Sequence, residues 1–177
     1  RLRDMLEDIL MFAQLNTYTR PAVLEAVDLN NLITSRLPIW QKLGVGRELI
    51  FQLRLTDVPH PQADSELLTQ ALTRLVTNAV SYTPVGMITL STALRDEADQ
   101  RWITIGVTDT GPGIEDDELP YIFDRFYRGR AADDYKTPGT GIGLSISREI
   151  AERLGGRLTV ETRAGGVPDA RVRPGAP

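Results

Sequence analysis

Apolar residues recur along this chain with two different periods, and the switches between them mark out its elements. Leu2, Met5, Leu6, Ile9 and Ala13 fall at helical spacing, with Arg1, Arg3, Asp4, Glu7 and Asp8 between them. Residues 1–16 are therefore expected to form one amphipathic helix. A lone amphipathic helix needs a partner for its apolar face. That partner is either the rest of a helical bundle or the body of its own domain. Asn16 to Arg20, followed by Pro21, end the helix and open a linker over 17–27. A second helical pattern runs from Asp28 to about Leu43 through Leu29, Leu32, Ile33, Leu37 and Trp40. Pro38 inside it predicts a kink or a restart.

Leu49–Leu55 reads as a strand and Val58–Pro61 as a loop, and Asp64 caps a long helix reaching about Tyr82. Met87–Leu94 and Trp102–Asp109 form two strands joined by a polar turn around Asp96–Gln100. Glu115–Gly139 is a long, mixed, turn-rich stretch, followed by a helix over Ser145–Leu154 and a strand over Arg157–Thr162. Three helices and at least four strands that do not strictly alternate predict an α+β fold. The expected architecture is a two-layer α/β sandwich with three helices on a mixed sheet.

Bulk properties narrow the function. With 177 residues, 41% hydrophobic and 25% charged, the chain can hold one domain with a sizeable core and a short appendage. A net charge of −4 offers no basic surplus to neutralise phosphates, which argues against a nucleic-acid partner. The absence of cysteine excludes disulfides and thiolate metal sites. No apolar run reaches membrane-spanning length and no signal peptide is visible. The chain opens at Arg1 within a helical pattern, as expected of a piece of a longer protein, which leaves room for a membrane anchor elsewhere in the parent.

Three segments carry candidate chemistry. On the long helix, Leu68, Ala71, Leu72, Leu75 and Ala79 form the expected buried stripe, and Arg74, Asn78, Ser81 and Tyr82 form a second stripe on its border. Asn78 can offer an oxygen to a hard cation such as Mg²⁺, or simply be solvated beside the core. In the strand ending at Asp109, alternation places Ile103, Ile105, Val107 and Asp109 on one face. A carboxylate at the mouth of an apolar layer needs a donor. The exocyclic amino group of adenine is suitable, whereas guanine presents a carbonyl there. Gly111 and Gly113 let the backbone approach a flat ring; a local Asx turn before Gly-Pro-Gly is the plainer reading. Third, Gly139-Thr-Gly-Ile-Gly-Leu144 runs into a helix, so its amides and the helix dipole suit an anion. It is neither a Walker loop nor a dinucleotide fingerprint, and flexible linkers share its composition.

In order, Asn78, Asp109-Thr-Gly-Pro-Gly-Ile114, Ile122-Phe-Asp-Arg-Phe-Tyr-Arg128 and Gly139-Thr-Gly-Ile-Gly-Leu144 resemble the N, G1, F and G2 boxes of sensor histidine kinases. These belong to the gyrase, chaperone, kinase and mismatch-repair ATPase superfamily. Gly155-Gly156 before a strand also fits. The resemblance covers about Asp28 to Thr162. It implies an ATP-binding kinase domain over 28–166, preceded by the end of a dimerisation and phosphotransfer helix over 1–16; residues 167–177, which depart from the family, are expected to be an irregular tail. It also implies that Asn78 holds Mg²⁺, that Asp109 takes the adenine amino group over the floor of Gly111 and Gly113, and that Tyr82 and Ile114 pack on the base. Residues 115–139 would be a mobile lid anchored by Phe123 and Phe126, with Arg128 near the phosphates. Gly139, Thr140, Gly141, Gly143 and Leu144 would wrap the triphosphate.

The implied activity is transfer of the γ-phosphoryl of ATP to a histidine outside this sequence. The implied partners are the parent's own dimerisation hairpin, in a homodimer, and a response-regulator receiver domain. The implied setting is cytoplasmic. Arg74 stands where the family often has a second asparagine, and Ser81 where it has a lysine. The tail Val167-Pro-Asp-Ala-Arg-Val-Arg-Pro174 departs from the family's ending, so its last strand is expected to be missing or malformed. His60, the sole histidine, sits between prolines and reads as a surface residue. Two other functions stay open. One is a conformational ATPase, which would need a glutamate base where Arg74 stands; the other is a degenerate nucleotide-binding module.

Overall fold

The structure of the chain is a computed structural model that describes residues 21–97, 100–135, 137, 139–162 and 169–173, with the backbone alone at Asp133 and 169–173. The helix expected over 1–16 and the first residues of the linker lie outside the described residues. In chain order the elements are β1 (Glu25–Ala26), α1 (Leu29–Leu43), β2 (Glu48–Leu55), β3 (Gln62–Ala63), α2 (Ser65–Tyr82), β4 (Val85–Glu97), β5 (Gln100–Asp109), α3 (Arg130–Asp134), α4 (Gly143–Arg153), β6 (Arg157–Glu161) and β7 (Asp169–Arg173).

Capping sets where the two long helices begin. Asp28 accepts from the Asn31 N–H at 2.9 Å, and Asp64 accepts from the Glu66 and Leu67 N–H groups at 3.1 Å each. Each carboxylate satisfies donors that the first helical turn leaves unpaired. α1 runs through Pro38 as one helix, so of the two outcomes expected there, a kink or a restart, the restart does not occur. Two residues further on, Trp40 is fully buried and its Nε1–H donates to Thr73 Oγ1 at 3.0 Å. This pins the second half of α1 to α2.

Five strands form one mixed sheet in the order β2-β4-β5-β7-β6, and β1 pairs with β3 in a small separate ribbon. β2 and β4 are parallel and the remaining pairs antiparallel. A parallel pair needs a crossover rather than a tight turn, and α2 lies within it. The long helices cover one face of the sheet, making the α+β two-layer sandwich. Leu68, Leu72 and Val76 of α2, Ile88 and Leu90 of β4, Ile105 of β5 and Ile146 and Ile150 of α4 are all but fully buried in one cluster. Each large apolar side chain in such a core is worth about 1.5–3 kcal/mol.

The carboxy-terminal segment departs from expectation. Asp169–Arg173 is a strand, inserted between β5 and β6. Ala170 and Val172 stand in register with Val107 and Ile105 on one side and Val160 and Leu158 on the other. Backbone groups make the ladder, and one alternating apolar pair is enough to match the pleat. The family's usual residues are therefore not required for the last strand to form.

Candidate functional site

The cleft lies between α2 and the lid segment 115–139. α2 presents its border stripe there because its other face is committed to the core. Leu68, Ala71, Leu72, Leu75, Val76, Ala79 and Val80 are all buried, leaving Arg74, Asn78, Ser81 and Tyr82 to line a cavity of about 570 Å³. Of the site residues expected from sequence, Asn78, Tyr82, Asp109, Gly113, Ile114, Arg128, Gly139, Thr140, Gly141, Gly143 and Leu144 line this one cavity. Gly111 is not on its lining. It acts from behind, donating its N–H to Asp109 Oδ1 at 2.8 Å. The Asx turn and the cavity-facing carboxylate are thus one arrangement rather than alternatives.

Ile103, Ile105 and Val107 are buried on the core face of β5, and Asp109 continues that face into the cavity, as the alternation predicted. Burial raises its carboxyl from the ordinary 3.8 to about 6, against the Gly111 N–H and the Thr83 hydroxyl, which both favour the ionised form. Thr83 Oγ1 lies 3.3 Å from Asp109 Oδ1. Gly111 must be glycine for reasons of space. A Cβ there would stand 2.7 Å from Asp109 Oδ1 and 2.8 Å from the Tyr82 carbonyl oxygen. Ile114 is fixed by its N–H donating to Thr162 Oγ1 at 2.9 Å, which ties the loop after β5 to the end of β6.

The glycine-rich loop leads into α4, whose N-cap residue Ile142 makes no side-chain capping bond. Gly143 and Leu144, at the start of that helix, line the cavity. Its first amides and the positive end of its dipole therefore suit an anion. Among the described residues no group of three or more His, Cys, Asp or Glu side chains is placed to hold a metal. A cation here would take the Asn78 oxygen together with oxygens of a bound ligand and water, a set that suits Mg²⁺.

The described residues of the segment expected to be a lid border the cleft with few apolar contacts. Ile122 is buried and Phe123 packs against the core, with the Arg148 guanidinium 5.2 Å from its ring centre. Phe126 is not the second anchor that the resemblance implied. It is 64% exposed and is held through its backbone, its N–H donating to the Gly141 carbonyl at 3.0 Å. Arg128 donates to the Thr137 and Gly139 carbonyls at 2.7 Å each, joining the lid to the glycine-rich loop. Sequence reasoning missed Thr83 and Glu118. Glu118 is 7% exposed, lines the cavity and accepts from the Arg130 N–H at 2.7 Å and the Tyr127 hydroxyl at 3.4 Å. It is the last of four consecutive acids, Glu115 to Glu118, and nothing local separates it from the others. His60 lies away from the cavity lining, with Nε2 3.9 Å from Asp28 Oδ2 and both side chains about half exposed.

Residues 63–175 match the family described as histidine kinase-, DNA gyrase B-, and HSP90-like ATPase. The chain belongs to that family. Proteins named as sensor proteins and sensor histidine kinases are among its curated relatives. Sensor histidine kinase AruS of Pseudomonas aeruginosa is 34% identical over 169 residues, covering 93% of this chain and 17% of that protein. Sensor protein SphS of Synechococcus elongatus is 34% identical over 166 residues, covering 90% of this chain and 40% of that protein. The chain thus spans well under half the length of these relatives. The crystal structure of full-length ShkA in complex with AMPPNP superposes with a TM-score of 0.84 at 25% identity, covering 99% of this chain and 36% of that one. No helix among the described residues is long and apolar enough to cross a membrane.

Proposed function

We propose that the chain is the ATP-binding catalytic domain of a two-component sensor histidine kinase, which transfers the γ-phosphoryl of ATP to a histidine on another segment. The observation that carries this reading is the convergence on one cavity of Asp109, Asn78 and the uncapped start of α4. Asp109 accepts the adenine amino group, and Tyr82 and Ile114 flank the base. The amides of Gly141, Gly143 and Leu144 hold the phosphates at the positive end of α4. Mg²⁺, held by Asn78, would neutralise phosphate charge when bound. The domain supplies position and electrostatics rather than a covalent intermediate.

Hydrolysis, the alternative, needs a carboxylate to activate water. Arg74 faces the cavity one turn before Asn78, and the carboxylates lining it among the described residues are Asp109 and Glu118. Asp109 is assigned to the base, and Glu118 is engaged by Arg130 and Tyr127. The arrangement therefore favours transfer over hydrolysis. The acceptor comes from the parent's dimerisation hairpin, in a homodimer, and the phosphoryl passes on to a receiver domain.

The test is incubation with γ-labelled ATP. The chain alone is expected to bind ATP and gain no acid-labile phosphate, whereas a supplied hairpin bearing the acceptor histidine becomes labelled. Labelling of the isolated chain that vanishes in His60→Ala would overturn the assignment of the acceptor. Steady release of inorganic phosphate without any hairpin labelling would favour the ATPase reading.

A further inference from the structure

Thr83 follows the last residue of α2 and has extended backbone angles, φ −116° and ψ 91°. Its side chain is wholly buried, at 0% exposure. A buried hydroxyl needs a partner, and among the described residues Thr83 Oγ1 finds it in Asp109 Oδ1 at 3.3 Å. The Gly111 N–H ends on the same oxygen at 2.8 Å. Among the described residues, both side-chain bonds to this carboxylate meet at Oδ1 and none reaches Oδ2. One oxygen is therefore tethered to the protein, and the other is left for whatever enters the cavity that Asp109 lines.

The geometry around Thr83 decides which way its hydroxyl points. β4 begins beside it, and a Cβ on Gly86 would stand 3.5 Å from Thr83 Cγ2 and 2.1 Å from Thr110 Oγ1. Gly86, at φ +136°, lets that strand pass close against the threonine methyl. With the methyl packed on Gly86, the hydroxyl is directed at Asp109. On the far side, Gly111 is pressed against Asp109 Oδ1, the Tyr82 carbonyl and Thr83 Oγ1. Oδ1 is thus enclosed by backbone and by one rotatable donor.

We propose that Thr83 is a positioning residue for nucleotide selection: its hydroxyl holds Asp109 Oδ1 so that Oδ2 faces the exocyclic amino group of adenine. This rests on the reading of Asp109 as the adenine acceptor. The same bond favours the ionised carboxylate. Asp109 is raised to about 6 by burial, which the Gly111 N–H and Thr83 O–H oppose. The other titratable and charged groups lining the cavity are Arg74 and Tyr82 on α2 and Glu118, Tyr127 and Arg128 in the lid. The glycine-rich loop and the start of α4 contribute none. Loss of the Thr83 hydroxyl removes one of two groups favouring ionisation and displaces the carboxyl further upward.

The test is calorimetric affinity of the whole chain for ATP and for GTP between pH 5.5 and about 8.5, in the wild type, Thr83→Val, Thr83→Ser and Asp109→Asn. Phosphate titration is common to both nucleotides, so the ATP-to-GTP affinity ratio isolates Asp109. Thr83→Val is expected to lower that ratio by up to about tenfold at pH 7 and to move its midpoint to higher pH, with Thr83→Ser restoring both. A threonine that merely ends α2 would weaken both nucleotides equally at every pH, and that result overturns the proposal. An unchanged ratio in Thr83→Val alongside a lowered one in Asp109→Asn also overturns it while leaving the adenine reading intact. An unchanged ratio in Asp109→Asn removes the adenine reading itself. If Thr83→Val does not fold, Thr83→Ala carries the same expectations.

Discussion

The two walls of the cleft are built on different principles. On the α2 and β5 side, each residue facing the cavity sits beside a residue of the core. Asn78 precedes buried Ala79, and Asp109 follows Val107 on one face of a strand. Helix pitch and strand pleat place these groups, and apolar burial holds the pitch and pleat in place. On the lid side, Phe126, Arg128 and Glu118 are placed by individual polar bonds to Gly141, Gly139 and Arg130. Among the described residues the lid contributes few buried apolar side chains, chiefly Ile122 and Ala132. The first wall is rigid because it is part of the core. The second rests on single polar bonds and little apolar burial, the kind of wall that yields first to local opening.

Substitutions can break that contrast. The largest effect is expected from Asn78→Asp, which leaves the core stripe of α2 untouched yet alters the oxygen offered to a cation and its charge. Phosphoryl transfer to a supplied hairpin should fall by on the order of 10²–10³, with thermal unfolding scarcely moved. Transfer at wild-type rate would remove Asn78 from the catalytic set.

Asp109→Asn should weaken ATP binding by about 1.5–3 kcal/mol while stabilising the nucleotide-free chain at pH 8. The sign follows from burial. The folded carboxyl lies at about 6 rather than 3.8, so the group favours folding at low pH and loses that contribution as pH rises through about 6. The displacement corresponds to at most about 3 kcal/mol. Denaturant melts at pH 5 and pH 8, with calorimetry of ATP binding, test both halves. A variant destabilised at pH 8 would contradict the burial account.

Gly141→Ala addresses the lid side. Gly141 has φ +76°, and a Cβ would stand 2.6 Å from the Tyr127 carbonyl oxygen. Undocking the lid is expected to cost about 1–3 kcal/mol locally while global unfolding moves little. Brief proteolysis should cut the wild type first within 115–139, more slowly with ATP, and should cut Gly141→Ala faster in either condition. Equal protection with and without nucleotide would count against a lid.

The smallest effect is expected from Phe126→Gly. Phe126 holds φ +67°, which costs a non-glycine residue about 1–2 kcal/mol, and glycine's greater freedom when unfolded offsets about 0.5–1 kcal/mol of the relief. Its ring is mostly solvent-exposed, so thermal stability should change by under about 1 kcal/mol. A loss above about 2 kcal/mol would make the ring an anchor after all.

The legibility of the chain followed the same division. The limits of α2, the inward turn of Asp109 and the border position of Asn78 were readable because period and capping are local properties of a few adjacent residues. That Gly139-Thr-Gly-Ile-Gly-Leu144 leads into a helix was readable for the same reason. Glu118 was not legible, since its partner Arg130 lies twelve residues away and the surrounding acids look identical in sequence. Thr83 is not legible either, because its partner Asp109 lies twenty-six residues on, across the whole β4–β5 hairpin. β7 went unread because two apolar residues make a strand only where β5 and β6 leave a gap of matching register.

By itself the sequence determined the amphipathic faces, the caps, the order of the four motifs and the family to which they belong. These depend on side-chain chemistry at fixed local spacing. Tertiary structure alone decided which carboxylate oxygen is tethered, which acid of the Glu115–Glu118 run is buried, where Phe126 points and that the tail completes the sheet. Those outcomes depend on contacts between residues far apart in the chain, and short-range periodicity carries no record of them.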